Sequence, residues 1–369
     1  MFSLITAALV IGQGLTANAL ACRQEAQAAP GGMIRENRTL DQIHAAALEE
    51  GGGRGTVVLW HGGDEKDQMD FIKKAFETRF KNMTLDLTVD LSKYHDGRVD
   101  RQLAEKKVTV DSVMLQTVHD FPRWAKQGAL LNYAPLGWDK IDPELKDASS
   151  AYWYGLEFLS WHSVANTKKA GNVSLTRFAD YIKPEFKDKL VLTYPNDDDA
   201  VLYAFDLIVQ KLGVQWFEKL LAQKPTWVRG TATPLTMMMK GDNKLAASFT
   251  TTPGAFGMNG TTSVFPEDAD WVSWAQRGAI MKDAPHKEGA KLLHSFMLDP
   301  EFQRSTYGWS VRTDVKPANG LPDRKSLKNT NTPRFNKWME DRANVERLRF
   351  WYEDRIGAAQ GKSPLEDGI

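Results

Sequence analysis

Cysteine is nearly missing. Cys22 is the one thiol in 369 residues, which excludes an internal disulfide framework and a thiolate metal cluster. Net charge is missing too: 47 basic and 47 acidic side chains cancel to zero. Neither the counter-ion release behind non-specific nucleic-acid binding nor broad attraction to an acidic membrane surface is then available, and no nucleic-acid partner is expected. No G-x-S-x-G elbow, P-loop or G-x-G-x-x-G follows a strand-like run, and the seven histidines show no H-E-x-x-H or comparable ligand spacing. The chain therefore reads as needing no cofactor or metal and as a non-enzyme. What is present is the balance of an ordinary globular protein, 42% hydrophobic and 25% charged, at a length that favours two lobes over one core.

Met1 to Leu20 is apolar from Phe2 to Ile11 apart from Ser3 and Thr6, and broken by Gly12, Gln13 and Gly14. That core is shorter than the ~20 residues of a membrane span. Small residues recur at minus three and minus one, as Ala17/Ala19 and Ala19/Ala21. The pattern predicts a cleavable secretory signal over residues 1–21, hence an extracellular protein, periplasmic in a bacterial host. Cleavage after Ala21 would make Cys22 the lipidated residue of a bacterial lipoprotein, but Ala19 stands where those signals resemble Leu. A cysteine at or inside the removed segment is the preferred reading. N-x-S/T acceptors at Asn37, Asn82, Asn172 and Asn259 suit a secreted glycoprotein.

Along the mature chain, Thr39 reads as an N-cap before Leu40, Ile43, Ala47 and Leu48 at helical spacing, with Gly51 to Gly53 ending the helix. A β-rich run, Thr56 to Trp60, is followed by Gly62-Gly63. Then Met69, Ile72, Phe76 and Phe80 line one helical face. Leu85, Leu87 and Val89 alternate as a strand, Arg98 to Lys107 reads as a helix, and Val110 to Leu115 as a third strand. Strand, helix, strand, helix, strand with short links is the parallel α/β pattern. It restarts at Lys189 to Thr193, with helices over Ala200 to Leu212 and Val214 to Gln223. Strands at Leu245 to Phe249 and Arg277 to Met281 and a helix from His286 to Met297 follow. The tail from Pro333 to Ile356 is amphipathic.

These blocks, in this order, resemble the type II periplasmic solute-binding proteins of ABC transporters, in the branch that binds iron(III) and thiamine. "AAALEEGGGRGTVVLWHGGDEKDQMDFIKKAFETRF" is similar to the family's opening helix, first strand and ligand loop, and "VDSVMLQ" to its third strand. "LVLTYPNDDDAVLYAFDLIVQKLG" resembles the entry into the second lobe, and "RGAIMKDAPHKEGAKLLHSFMLDPEFQ" the returning strand and helix. The resemblance implies an α/β, two-lobed fold with two hinge crossovers, near Trp161 to Thr167 and Phe249 to Gly254. Lobe 1 would comprise residues 33–163 and 253–325, lobe 2 residues 164–252, and a helical tail residues 326–369. It implies a monomer that holds a small molecule in the interlobe cleft, with a membrane permease as partner if the host is bacterial.

Candidate ligand residues lie on loops after strands, where helix N-termini converge. They are His61, Gly62, Gly63 and Asp64; Gln116 and Thr117; Asp197, Asp198 and Asp199; and Thr250 and Thr251 in the second crossover. Each has a plain structural reading as well: Asp64 and Asp67 would make a capping pair for the next helix, and one acid of 197–199 an N-cap. Trp161, with Trp153 and Tyr154, offers a stacking wall. The family's iron-binding members use two adjacent tyrosines near the second crossover, where this chain reads ASFTTTPGAFG. Acids at the helix N-termini would repel an anion. A neutral or cationic organic solute, of thiamine or polyamine type, is the expectation. The alternatives are a secreted α/β hydrolase using scattered residues and a clamp-shaped protein-interaction module.

Overall fold

The computed structural model describes residues 32–366 except 172, 174, 251–258, 307 and 319. The expected signal segment, Cys22, the acceptor Asn172 and the candidate Thr251 lie outside the described residues. A short parallel pair, β1 (Ile34–Arg35) and β5 (Tyr133–Ala134), sits beside the first of two sheets. That sheet contains β2 (Gly55–Gly62), β3 (Met83–Asp90), β4 (Ser112–Leu115), β6 (Tyr154–Ser160) and β12 (Ser273–Ile280), ordered β3-β2-β4-β12-β6. β2, β3 and β4 run parallel and β12 antiparallel to its neighbours. Val57, Leu59, Val113 and Leu115 are fully buried, as expected of strands covered on both faces.

Helices cover this sheet where the apolar spacing demands it. α1 (Leu40–Glu50) starts at Thr39, whose hydroxyl accepts from Gln42 N while Gln42 Oε1 accepts from Thr39 N, a reciprocal capping box. α2 (Asp70–Arg79) buries Ile72 and Phe76, and α4 (Asp120–Lys126) buries Phe121 and Trp124. α8 (Lys287–Met297) lies over β2 and against α1. After the Asp299-Pro300 break comes α9 (Pro300–Thr306). α3 begins earlier than the apolar spacing indicates, spanning Ser92–Ala104 rather than starting at Arg98. Its polar first turn is held from outside the helix: His95 is fully buried and stacked on Trp60 at 5.2 Å between ring centroids.

The second lobe repeats the plan. β8 (Val191–Thr193) and β9 (Thr226–Val228) are parallel, and β7 (His162–Asn166) lies between β10 (Ala247–Thr250) and β11 (Thr261–Val264). A parallel bridge from Leu190 to Ala247 joins the two groups, giving β9-β8-β10-β7-β11. In both lobes the order is second, first and third strand, then the strand delivered by the crossover, then the fourth. α5 (Asp199–Leu212), α6 (Val214–Ala222) and α7 (Thr233–Met239) flank it.

The chain leaves the first sheet at Trp161, between β6 and β7. The return is expected at Phe249 to Gly254, of which 251–254 lie outside the described residues, and β10 up to Thr250 still pairs with β7. β11 still pairs with β7, so the return lies between Val264 and Ser273, and the part of 253–264 that is described belongs with the second lobe. The short, polar Thr261–Val264 run carries no strand signal of its own; the edge of β7 supplies it. The tail is two helices, α10 (Thr332–Glu340) and α11 (Arg342–Ile356), broken at Asp341, which caps α11. Phe335, Met339, Val345 and Tyr352 join the second-lobe core, so the tail is part of that lobe's packing and not a separate unit.

Candidate functional site

The parallel strands of both lobes end at one crevice. β2 delivers Gly62 to Asp64, β4 delivers Gln116 and Thr117, β8 leads to Asn196 through Asp199, and β9 leads to Arg229, Gly230 and Thr231. They enclose a cavity of about 140 Å³, closed at the back by Trp161 and Trp274, edge to face at 5.7 Å. Gly62 and Gly63 are required by crowding. A Cβ on Gly62 would lie 2.0 Å from Ser92 Oγ, and one on Gly63 2.6 Å from Gln68 Oε1.

Of the sequence candidates, Gly62, Gly63, Asp64, Gln116, Thr117, Trp161, Asp197, Asp198 and Asp199 line this cavity. His61 and Thr250 do not. His61 points under the floor, fully buried, 3.7 Å from Glu157, because β2 alternates and its neighbours on either side face the opposite way. Thr250 is buried and donates its hydroxyl hydrogen to Thr231 O. Trp153 and Tyr154 also stay out of the cavity: Arg277 stacks on Trp153 and Tyr154 packs against Trp138. Sequence reasoning missed Lys93, Asp96, His119, Trp274, Arg342 and Arg349, all of which reach the cavity. None carries a motif: Lys93 and Asp96 arrive on α3, Arg342 and Arg349 on α11, His119 at the start of α4 and Trp274 on β12.

Asp64 does not cap α2, whose N-cap, Met69, has no side-chain bond. Its carboxylate crosses to the other lobe and accepts from Thr231 N at 2.6 Å, Thr231 Oγ1 at 2.5 Å and Ala232 N at 3.2 Å. A second crossing links Lys93 Nζ to Asp197 at 2.7 Å, with Arg229 on the same carboxylate at 2.9 Å and on Tyr94 Oη at 3.2 Å. Asp64 and Lys93 thus bridge the two lobes across the cleft. Burial works against ionised Asp197, but the Arg229 and Lys93 bonds hold its pKa below the usual carboxylate value.

Asp198 is the N-cap of α5, accepting from Ala200 N at 2.8 Å and Val201 N at 2.9 Å. Its burial, with the charges of Asp64 and Asp199 beside it, pushes its pKa up to about 7. Asp96 is likewise pushed up to about 7, by burial and then by Asp120. Four buried polar atoms of cavity-lining residues, Thr117 Oγ1, His119 Nδ1, Trp161 Nε1 and Arg349 Nε, have no hydrogen-bond partner among the described residues. Among those residues no group of three or more His, Cys, Asp or Glu is arranged to hold a metal ion.

No family model matches the chain, and no curated protein does either. Solved structures do. The substrate-binding protein of an ABC transporter from Agrobacterium tumefaciens is similar with a TM-score of 0.68 at 12% identity, over 84% of this chain and 96% of that one. AfuA from Actinobacillus pleuropneumoniae, a periplasmic binding protein solved with fructose-6-phosphate, gives 0.64 at 16% identity over 82% and 99%. Iron-bound HitA from Pseudomonas aeruginosa gives 0.63 at 15% identity over 80% and 99%. The strand order repeated in both lobes and these likenesses agree: the chain has the two-lobed fold of the type II periplasmic solute-binding proteins.

Proposed function

We propose that this protein is a secreted solute-binding protein, not an enzyme, which captures a small neutral or cationic organic solute by closing its lobes around it. The observation that carries this reading is the mismatch at the cavity wall. Asp64, Asp96 and Asp198 have no ion-pair partner among the described residues, and Trp161 Nε1 and Thr117 Oγ1 have no hydrogen-bond partner. Buried polar groups are normally satisfied, and a solute bearing a positive charge and a hydroxyl or carbonyl would satisfy these. Trp161 and Trp274 add aromatic surface for a cation. A cavity of about 140 Å³ restricts the occupant to a small molecule, well under the ~300–1,000 Å³ of sites for drug-sized ligands. The neighbours solved with iron or with fructose-6-phosphate bind ligands whose chemistry this wall does not match: Asp198 already occupies the N–H groups of α5 that a phosphate would use.

A hydrolase reading has less to stand on. Ser112 Oγ and His294 Nε2 are 2.6 Å apart, but both residues are fully buried in the first-lobe core, away from any substrate. Exposed large apolar side chains, Phe71, Tyr94, Val214 and Phe350, sit on four different helices, which gives a protein-docking module no single face. Among the described residues no helix is long and apolar enough to cross a membrane. A monomer handing its solute to a permease in a bacterial host, or sequestering it in a eukaryotic one, completes the proposal.

Calorimetric titration of the purified chain against amines, thiamine, polyols, phosphate and sulfate tests it. We expect binding of an organic cation or neutral solute, with protons released when a cation binds, because a positive charge beside Asp96 and Asp198 lowers their raised pKa values. Tight phosphate or sulfate binding with no response to cations would end the proposal.

A further inference from the structure

The tail brings charge into the cleft from outside the two sheets. Arg342, Glu346 and Arg349 fall at i, i+4 and i+7 on α11 and so share one helical face, while Val345 and Tyr352 on the adjoining face are buried in the second-lobe core. Arg342 Nη1 donates to Asp199 Oδ2 at 2.8 Å and Arg349 Nη2 to Asp199 Oδ1 at 2.5 Å. Glu346 balances the pair, 3.3 Å from Arg342 and 3.5 Å from Arg349. Both arginines line the solute cavity. Beyond α11 the chain stays at the cleft. Gly357 O accepts from Asn196 Nδ2 at 3.0 Å, and the Pro364 ring lies against Gly230. Ser363, Leu365 and Glu366 border a groove shared with Lys66, Tyr94 and Arg98 of the first lobe.

We infer that α11 is a third wall of the solute cleft and that Arg342 and Arg349, by neutralising Asp199, set how much positive charge the cleft accepts. This rests on the solute-binding reading above. Two guanidiniums match Asp199 and Glu346, while Lys93 and Arg229 together exceed the single charge of Asp197 by one. The carboxyls left for a solute are Asp64, Asp96 and Asp198, of which Asp64 already accepts three hydrogen bonds from the other lobe. Asp96 and Asp198 each hold a proton part of the time near neutral pH. One positive charge suits that wall. Without the arginines, Asp199 would face the cavity as a further full negative charge at the first turn of α5, and a second ammonium would find a partner.

The test is calorimetric titration of the full chain with 1-aminobutane and 1,4-diaminobutane, for the wild type, the R342Q/R349Q variant and the R342K/R349K variant. In the glutamine variant the ratio of affinities should shift toward the diamine by about tenfold or more, since an unscreened charge a few ångströms from an ammonium is worth at least that. The lysine variant, keeping the charges, should retain the wild-type ratio. If the glutamine pair does not fold, single R342Q and R349Q variants should each move the ratio the same way. Amines that bind wild type and glutamine variant with the same ratio overturn the role of the tail and leave the solute-binding reading standing. No binding of either amine by any of the chains overturns the inference about the tail, and a solute found in the wider titration would leave the solute-binding reading standing.

Discussion

Asp198 has two duties that pull its ionisation in opposite directions. As N-cap of α5 it is stabilised when charged by the N–H groups of Ala200 and Val201. Burial and the neighbouring Asp64 and Asp199 oppose that charge more strongly, and its pKa rises from 3.8 to about 7. A carboxyl raised in the folded state adds stability that is complete below the unfolded value of 3.8 and is lost as pH climbs through about 7. Asn caps a helix about as well as Asp and carries no charge. Asp198→Asn should therefore gain thermal stability over the wild type as pH goes from about 5 to about 8, read as the difference in Tm between the two chains. A difference that stays flat with pH refutes the raised pKa. Taking the difference isolates Asp198 from His294 and His162, whose pKa values burial lowers to about 3 and whose stabilising contributions fade in the other direction, as pH falls from 6.5 toward about 3.

The helices report how far local signals reach. α1 is written in its own residues, from the Thr39 cap to Gly51, and α5 in the spacing of Leu202, Phe205 and Val209. α3 is not: Ser92 to Gly97 has little apolar content, and its first turn exists because the burial of His95 under Trp60 outweighs weak propensity. The edge strand β11 and the three-residue β9 likewise need partners before they have a conformation. Close packing between elements is equally invisible in the chain. Gly289 of α8 lies over β2, and a Cβ there would stand 2.5 Å from Thr56 O. Gly289→Ala should push α8 off the sheet and cost about 1–3 kcal/mol, despite alanine's better helix propensity. Urea unfolding measures it; an unchanged or raised midpoint would show that the helix can slide without loss.

Two cores joined by two passages make a clamp, and the latch between its jaws is polar. Asp64 to Thr231 and Lys93 to Asp197 span the cleft, and polar contacts of this kind exchange with water at small net cost; under the proposed function that suits a joint that opens to admit a solute. Asp64→Ala leaves Thr231 N and Ala232 N without their acceptor and should disfavour the closed form by about 1–3 kcal/mol. Small-angle X-ray scattering should then show a larger radius of gyration than for the wild type, and the solute affinity should fall. An unchanged radius would mean that closure depends on other contacts.

By itself the sequence determined two α/β units, the helices with their own caps, and most of the loops that meet at the cleft, because strand-end glycines and acids are local features. The tertiary structure decided where the chain recrosses between the lobes and which way His61 points. It also turned Asp64 from a cap into a bridge and brought Arg342 and Arg349 into the cavity. Each of these depends on contacts between residues up to 150 or more positions apart, and no periodicity within one segment encodes what a distant segment will place opposite it.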